Sequence, residues 1–134
     1  MIQVYSTNVT VDQNGLFPIN AVAANINCNC SVMGSSIQPF KKGIYQVTAV
    51  FNLEPAATGD VAVQMNVNGV AKSSGYTMAS GTTGETVAMT LIDTIEVAND
   101  TCCCKGSPVS LTFENVGAGS VTGRMNVIVK RISA

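Results

Sequence analysis

The sequence contains no histidine and no tryptophan, and only 11% of its 134 residues are charged. Without histidine there is no imidazole to act as general base or zinc ligand, and no Ser-His-Asp or Cys-His arrangement. The seven basic residues, Lys41, Lys42, Lys72, Lys105, Arg124, Lys130 and Arg131, are scattered and leave a net charge of −1. Nucleic-acid binding draws its affinity from clustered Lys and Arg against phosphates, so that class is excluded. At 5% of the chain, the aromatic residues are also too sparse for a base-stacking platform. Apolar runs end after three or four residues, far short of a membrane-spanning helix. Met1 to Thr10 shows no basic segment followed by an apolar core, so no secretory signal is expected. A protein made in a bacterial cytoplasm, and kept there or released by lysis, fits that absence.

What is present points to a packed β protein. Hydrophobic residues make up 46% of the chain, which excludes disorder. Its length suits a single domain spanning 1–134, able to bury roughly two-thirds of its unfolded surface. Ser, Thr, Asn, Gln and Gly stand where a typical soluble domain carries charge. Such a surface loses little when pressed against another protein, which implies an obligate oligomer.

Period-2 alternation dominates the chain. Tyr45, Val47, Ala49, Phe51 and Leu53 share one face of a strand, with Gln46, Thr48 and Asn52 on the other. Val61, Val63, Met65 and Val67 repeat the pattern and run into Asn68-Gly69, a strong hairpin signal. Val109, Leu111 and Phe113 alternate with polar partners, as do Met125, Val127 and Val129. Thr86 to Val97 reads as apolar on both faces, the mark of a strand covered twice, by a neighbouring sheet or a neighbouring subunit. Shorter strands are expected at Ile2–Tyr5, Leu16–Ile19, Ala21–Ile26 and Ser31–Ile37. Turns are expected at Asn14-Gly15, Lys42-Gly43, Thr58-Gly59, Gly81 to Gly84, Gly106 and Gly117 to Gly119. No helical apolar periodicity occurs. Eight or more short strands between Gly-rich turns imply an all-β sandwich, barrel or jelly roll.

Cysteine is the unusual constellation: Cys28-Asn29-Cys30 and Cys102-Cys103-Cys104. In extended chain Cys28 and Cys30 share a face, as do Cys102 and Cys104, with Cys103 opposed. Three readings stand side by side. Disulfides between the clusters would staple two loops; four thiolates could hold zinc; reduced thiols would pack as small hydrophobes. The odd count of five argues against a secreted disulfide framework, and the spacing matches no standard zinc ribbon.

The eight carboxylates, Asp12, Glu54, Asp60, Glu85, Asp93, Glu96, Asp100 and Glu114, fall mostly at turns or on polar strand faces. None pairs locally as a glycosidase dyad would require. Asp60 or Asp100 could offer oxygens to calcium from a turn. Asn8-Val9-Thr10, Asn29-Cys30-Ser31 and Asn99-Asp100-Thr101 satisfy the glycosylation pattern and are expected by chance in a chain this rich in Asn and Thr. No phosphate-cradling loop or dinucleotide fingerprint is present. No catalytic residue, cofactor or metal site is assigned, and enzymatic activity is not expected.

Several segments resemble a known family. Lys42-Gly43-Ile44-Tyr45-Gln46-Val47 is similar to the G-x-Y-x-V strand opening of the tumour necrosis factor/complement globular-head superfamily. Val67-Asn68-Gly69 resembles its hairpin, and Val127 to Ile132 its closing strand. The opening Ile2 to Asn8, the segment Gly15 to Asn20 and the run Cys102 to Pro108 resemble phage head-fibre or capsid-associated proteins of gut Firmicutes. No stalk or capsid-anchoring segment accompanies them, which shifts the expectation from a long fibre to a compact decoration protein. The resemblance implies a homotrimeric jelly-roll β-sandwich in the virion. It would bind the major capsid protein or another virion protein, and display loops to host or mucosal glycans. A receptor-binding or adhesive tip on a phage tail, or on a bacterial or spore surface, is the other function it implies. It implies no nucleic-acid or membrane partner.

Overall fold

A computed structural model describes residues 1–26, 30–99 and 109–133. Ten strands and no helix occur among them: β1 (Ile2–Val11), β2 (Ala21–Asn25), β3 (Cys30–Met33), β4 (Ser36–Pro39), β5 (Gly43–Pro55), β6 (Gly59–Val67), β7 (Val70–Gly81), β8 (Val87–Val97), β9 (Leu111–Asn115) and β10 (Val121–Ser133). They form two antiparallel five-stranded sheets, ordered β2-β1-β10-β5-β8 and β3-β4-β9-β6-β7.

Alternation decides which side of each strand lies between the sheets. Tyr45, Val47, Ala49, Phe51 and Leu53 of β5, Met125, Val127 and Val129 of β10, and Val61, Val63 and Met65 of β6 are all buried in one core cluster. Phe51 is the hub. Its ring lies 5.3 Å from that of Phe17 and 5.8 Å from that of Phe113, both tilted towards edge-on packing. Tyr45 is fully buried, and its hydroxyl donates to the Lys41 carbonyl at 2.7 Å.

The Asn68-Gly69 turn joins β6 to β7. Both residues have positive φ, 53° and 80°, the backbone of a type I′ turn. β1 and β10 pair from Ile2↔Val129 to Val11↔Val121, interrupted by a bulge between Ser6 and Val9 in which Asn8 takes φ 51°.

Four expectations from sequence are revised. Ser31–Ile37 is not one strand: Gly34, at φ 60°, turns the chain between β3 and β4. Leu16–Ile19 makes only a single bridge, Leu16↔Glu114, because Pro18 has no N–H to continue a ladder. β1 extends well beyond Tyr5. Thr86 to Val97 is not covered twice within the chain. β8 lies at a sheet edge, with Met89, Leu91, Ile95 and Val97 inward and Ala88, Thr90, Ile92 and Thr94 open to solvent. The turn expected at Gly106 lies outside the described residues.

Candidate functional site

The outward face of the β2-β1-β10-β5-β8 sheet is left uncovered by the described residues. Strand register lays two rows across it: Tyr5–Asn126–Val50–Thr90 and Gln3–Ile128–Thr48–Ile92. No member of either row is charged. Four of the eight are apolar, and Ile92 is 61% exposed, an unusual position for isoleucine. The charged side chains on this face stand only at its ends. Arg124 and Glu54 flank one end and Lys130 and Glu96 the other, one of each sign at each end. Among the described residues none of the four has an ion-pair partner.

At the Arg124 end the sheet is hollowed. Asn8, Asn52, Glu54, Thr86 and Arg124 surround a cavity of about 260 Å³. The close approach of β5 and β10 there depends on Gly123, where a Cβ would run into the Asn52 carbonyl.

A polar cluster closes the free side of the sandwich. Asp93 points inward from β8 in the series Leu91, Asp93, Ile95. Its Oδ2 accepts from Lys72 Nζ at 2.7 Å and from Ser74 Oγ at 2.8 Å, and its Oδ1 from the Thr94 N–H at 2.8 Å. Lys72 and Ser74 reach it because β7 bulges over residues 72–75 where it passes β6. The Gln64 amide fixes that bulge by donating to the Lys72 and Gly75 carbonyls at 2.7 and 3.0 Å. Partial burial pushes the Asp93 carboxyl up, but the bonds from Lys72, Ser74 and Thr94 outweigh it and hold the carboxyl below its ordinary value. Lys72 Nζ also donates to Ser74 Oγ, at 2.6 Å. The cluster is a clasp between the two sheets.

A second polar hub is Asn115, 1% exposed. Its amide donates to the carbonyls of Val11, Asp12 and Gly119, and its Oδ1 accepts from the Gly117 N–H. It ties the end of β1 to the β9–β10 connection.

Of the cysteines singled out, Cys30 lies at the start of β3 with a free, buried thiol in the core cluster, and burial pushes its pKa up to about 11. Cys28, Cys102, Cys103 and Cys104 lie outside the described residues, as does Asp100. No group of three or more metal-ligating side chains occurs among the described residues, and these residues contain no helix long and apolar enough to cross a membrane. The clasp escaped sequence reading because Lys72 and Ser74 sit in an irregular strand. The signal was a lone Asp in an inward-facing apolar series.

No protein-family model and no curated protein sequence matches the chain. Solved structures do. Vertex protein P5 of PRD1 superposes with a TM-score of 0.67 at 12% identity, over 98% of this chain and 95% of that one. The globular domain of the zebrafish complement 1qA protein gives 0.63 at 6% identity, over 95% and 94%. Murine APRIL gives 0.55 at 9% identity, over 96% and 98%. Together with the strand order, these likenesses define the fold class: the chain is an all-β jelly-roll sandwich whose fold is similar to those of the vertex protein, the complement globular domain and APRIL.

Proposed function

We propose that this chain is a structural protein of a phage particle, a homotrimer that binds the capsid surface as a decoration protein and works by assembly. The observation that carries the reading is the uncharged, apolar-studded outer face of the β2-β1-β10-β5-β8 sheet. Exposed Tyr5, Val50 and Ile92 gain by leaving water, at about 25 cal/mol per Å² of apolar area, and no charge in the middle of the face opposes their burial. Copies packed on these faces close around a rotation axis. The fold's likeness to a phage vertex protein along almost its whole length supports a place in the virion. The narrower link to head-fibre proteins of gut Firmicutes phages rests on sequence motifs alone. A trimer that binds the assembled shell more tightly than free subunits would stabilise it by mass action, with the major capsid protein as partner and host-surface glycans as ligands of its outward loops. Disulfides among the cysteines at 28 and 102–104 would stiffen one loop end, and free-thiol counts under denaturing conditions test them.

Light scattering on the purified chain should give three times the 13.9 kDa of one copy, and Ile92→Asp should give folded monomers. A wild-type monomer at tens of micromolar would overturn the trimer. The second reading, a receptor-binding tip, is separated by copy number in purified particles. Many copies over the shell mean decoration; a few at one vertex mean a tip.

A further inference from the structure

The four charges that rim the outward face of the β2-β1-β10-β5-β8 sheet are two acids and two bases, and none is paired within the described chain. Their arrangement is ordered. Arg124 stands beside Asn52, and Glu54 stands opposite Thr122, so both belong to the hollowed end; Lys130 and Glu96 belong to the other. In a closed ring whose axis runs along the strands, each residue keeps its height, so each end of the face meets the same end of the next copy. A face that carries one charge of each sign at that height is complementary to itself. A face carrying a single sign would repel its own copies.

Resting on the self-association reading above, we infer that Glu54 of one copy pairs with Arg124 of the next, and that this contact sets the register of the assembly. The hollow at that end gives the contact its seat. Asn8, Asn52 and Thr86 line it, and none of their side chains bonds to another described group. A guanidinium or carboxylate entering from a neighbour finds free amide and hydroxyl partners there, as an ion leaving water requires. Gly123 lets β5 and β10 lie close together beneath the hollow, since a Cβ at that position would run into the Asn52 carbonyl. The apolar rows supply adhesion without direction, because they can slide along one another. The charged ends penalise every register that leaves an ion buried and unpaired, and so select one.

The test uses the full chain and charge reversal. Glu54→Arg and Arg124→Glu each place like charges at the contact and should weaken assembly at least tenfold by sedimentation, with circular dichroism unchanged. An equimolar mixture of the two reversed chains should assemble better than either alone, because a mixed ring matches all its contacts but one. An internal Glu54–Arg124 pair gives no such recovery, since mixing leaves each chain's own charges unchanged. Wild-type assembly should also weaken as salt rises, and the Glu54→Gln chain should lose most of that dependence. Reversed chains that assemble like the wild type, or a mixture no better than its components, overturn the inference while leaving the trimer intact. A wild-type chain that stays monomeric overturns the trimer first. Should a reversed chain fail to fold, Glu54→Gln and Arg124→Gln take its place, and undiminished assembly of both sinks the pairing.

Discussion

Ser6 lies fully buried in β1 opposite Met125, and its hydroxyl has no hydrogen-bond partner. An unpartnered buried hydroxyl costs about 1–3 kcal/mol, so Ser6→Ala should raise the unfolding free energy by about 1 kcal/mol, read as a higher urea midpoint. Asp93 behaves oppositely. Its folded pKa is depressed, so its contribution is fully present above the unfolded carboxylate value near 3.9 and is lost as pH falls through the lower folded value. Wild type should therefore exceed Asp93→Asn in stability by about 1 kcal/mol at neutral pH, and the gap should close below about pH 4. Urea titrations at pH 7, 4 and 2.5 check it. Sequence reading placed most of the carboxylates at turns and polar faces, without singling out Asp93. Parity puts Asp93 between Leu91 and Ile95, facing the core rim.

Elements were legible in proportion to the regularity of their alternation. β5, β6 and β10 could be read face by face because their inward series, Tyr45 to Leu53, Val61 to Met65 and Met125 to Val129, are apolar and alternate with polar residues such as Gln46, Thr48, Asn52, Gln64 and Asn126. β7 could not: its bulge at 72–75 shifts the parity, and the Gln64 amide that steadies it lies on another strand. The β3–β4 hairpin was hidden because Gly34 falls inside what reads as a single apolar-containing run. The loops joining β1 and β9 to their neighbours hang on Asn115, whose role no local pattern announces, since its partners at Val11 and Asp12 are a hundred residues away in sequence. Asn115→Ala removes the donor serving three carbonyls and should cost about 2–4 kcal/mol. Thermal unfolding would show it, and hydrogen exchange should rise first in residues 11–15 and 116–120.

For the molecule as a whole, fold class was written in the spacing of apolar residues and turns, whereas the candidate site was only half visible. Low charge implies a surface that a partner covers; which face that would be depends on strand order, a long-range property. β7 and β8 are both edge strands, and long free edges invite other chains to add to them. Here the bulge over residues 72–75 and the Lys72–Asp93 pair interrupt the plain apolar edge on that side. The double change Lys72→Val with Asp93→Val restores a plain apolar edge. Its expected outcome is dye-positive fibrils on prolonged incubation at a concentration where wild type stays clear.

Since Ile2 pairs with Val129, the first and last strands begin and finish at the same pole of the sandwich, and the connections around residues 12–15, 56–58 and 82–86 sit at the opposite one. A fluorophore or peptide grafted onto either terminus would therefore leave by one pole and keep clear of the other. Tagged chains on a particle would report, by whether an antibody can reach the tag, which pole is turned towards the solvent.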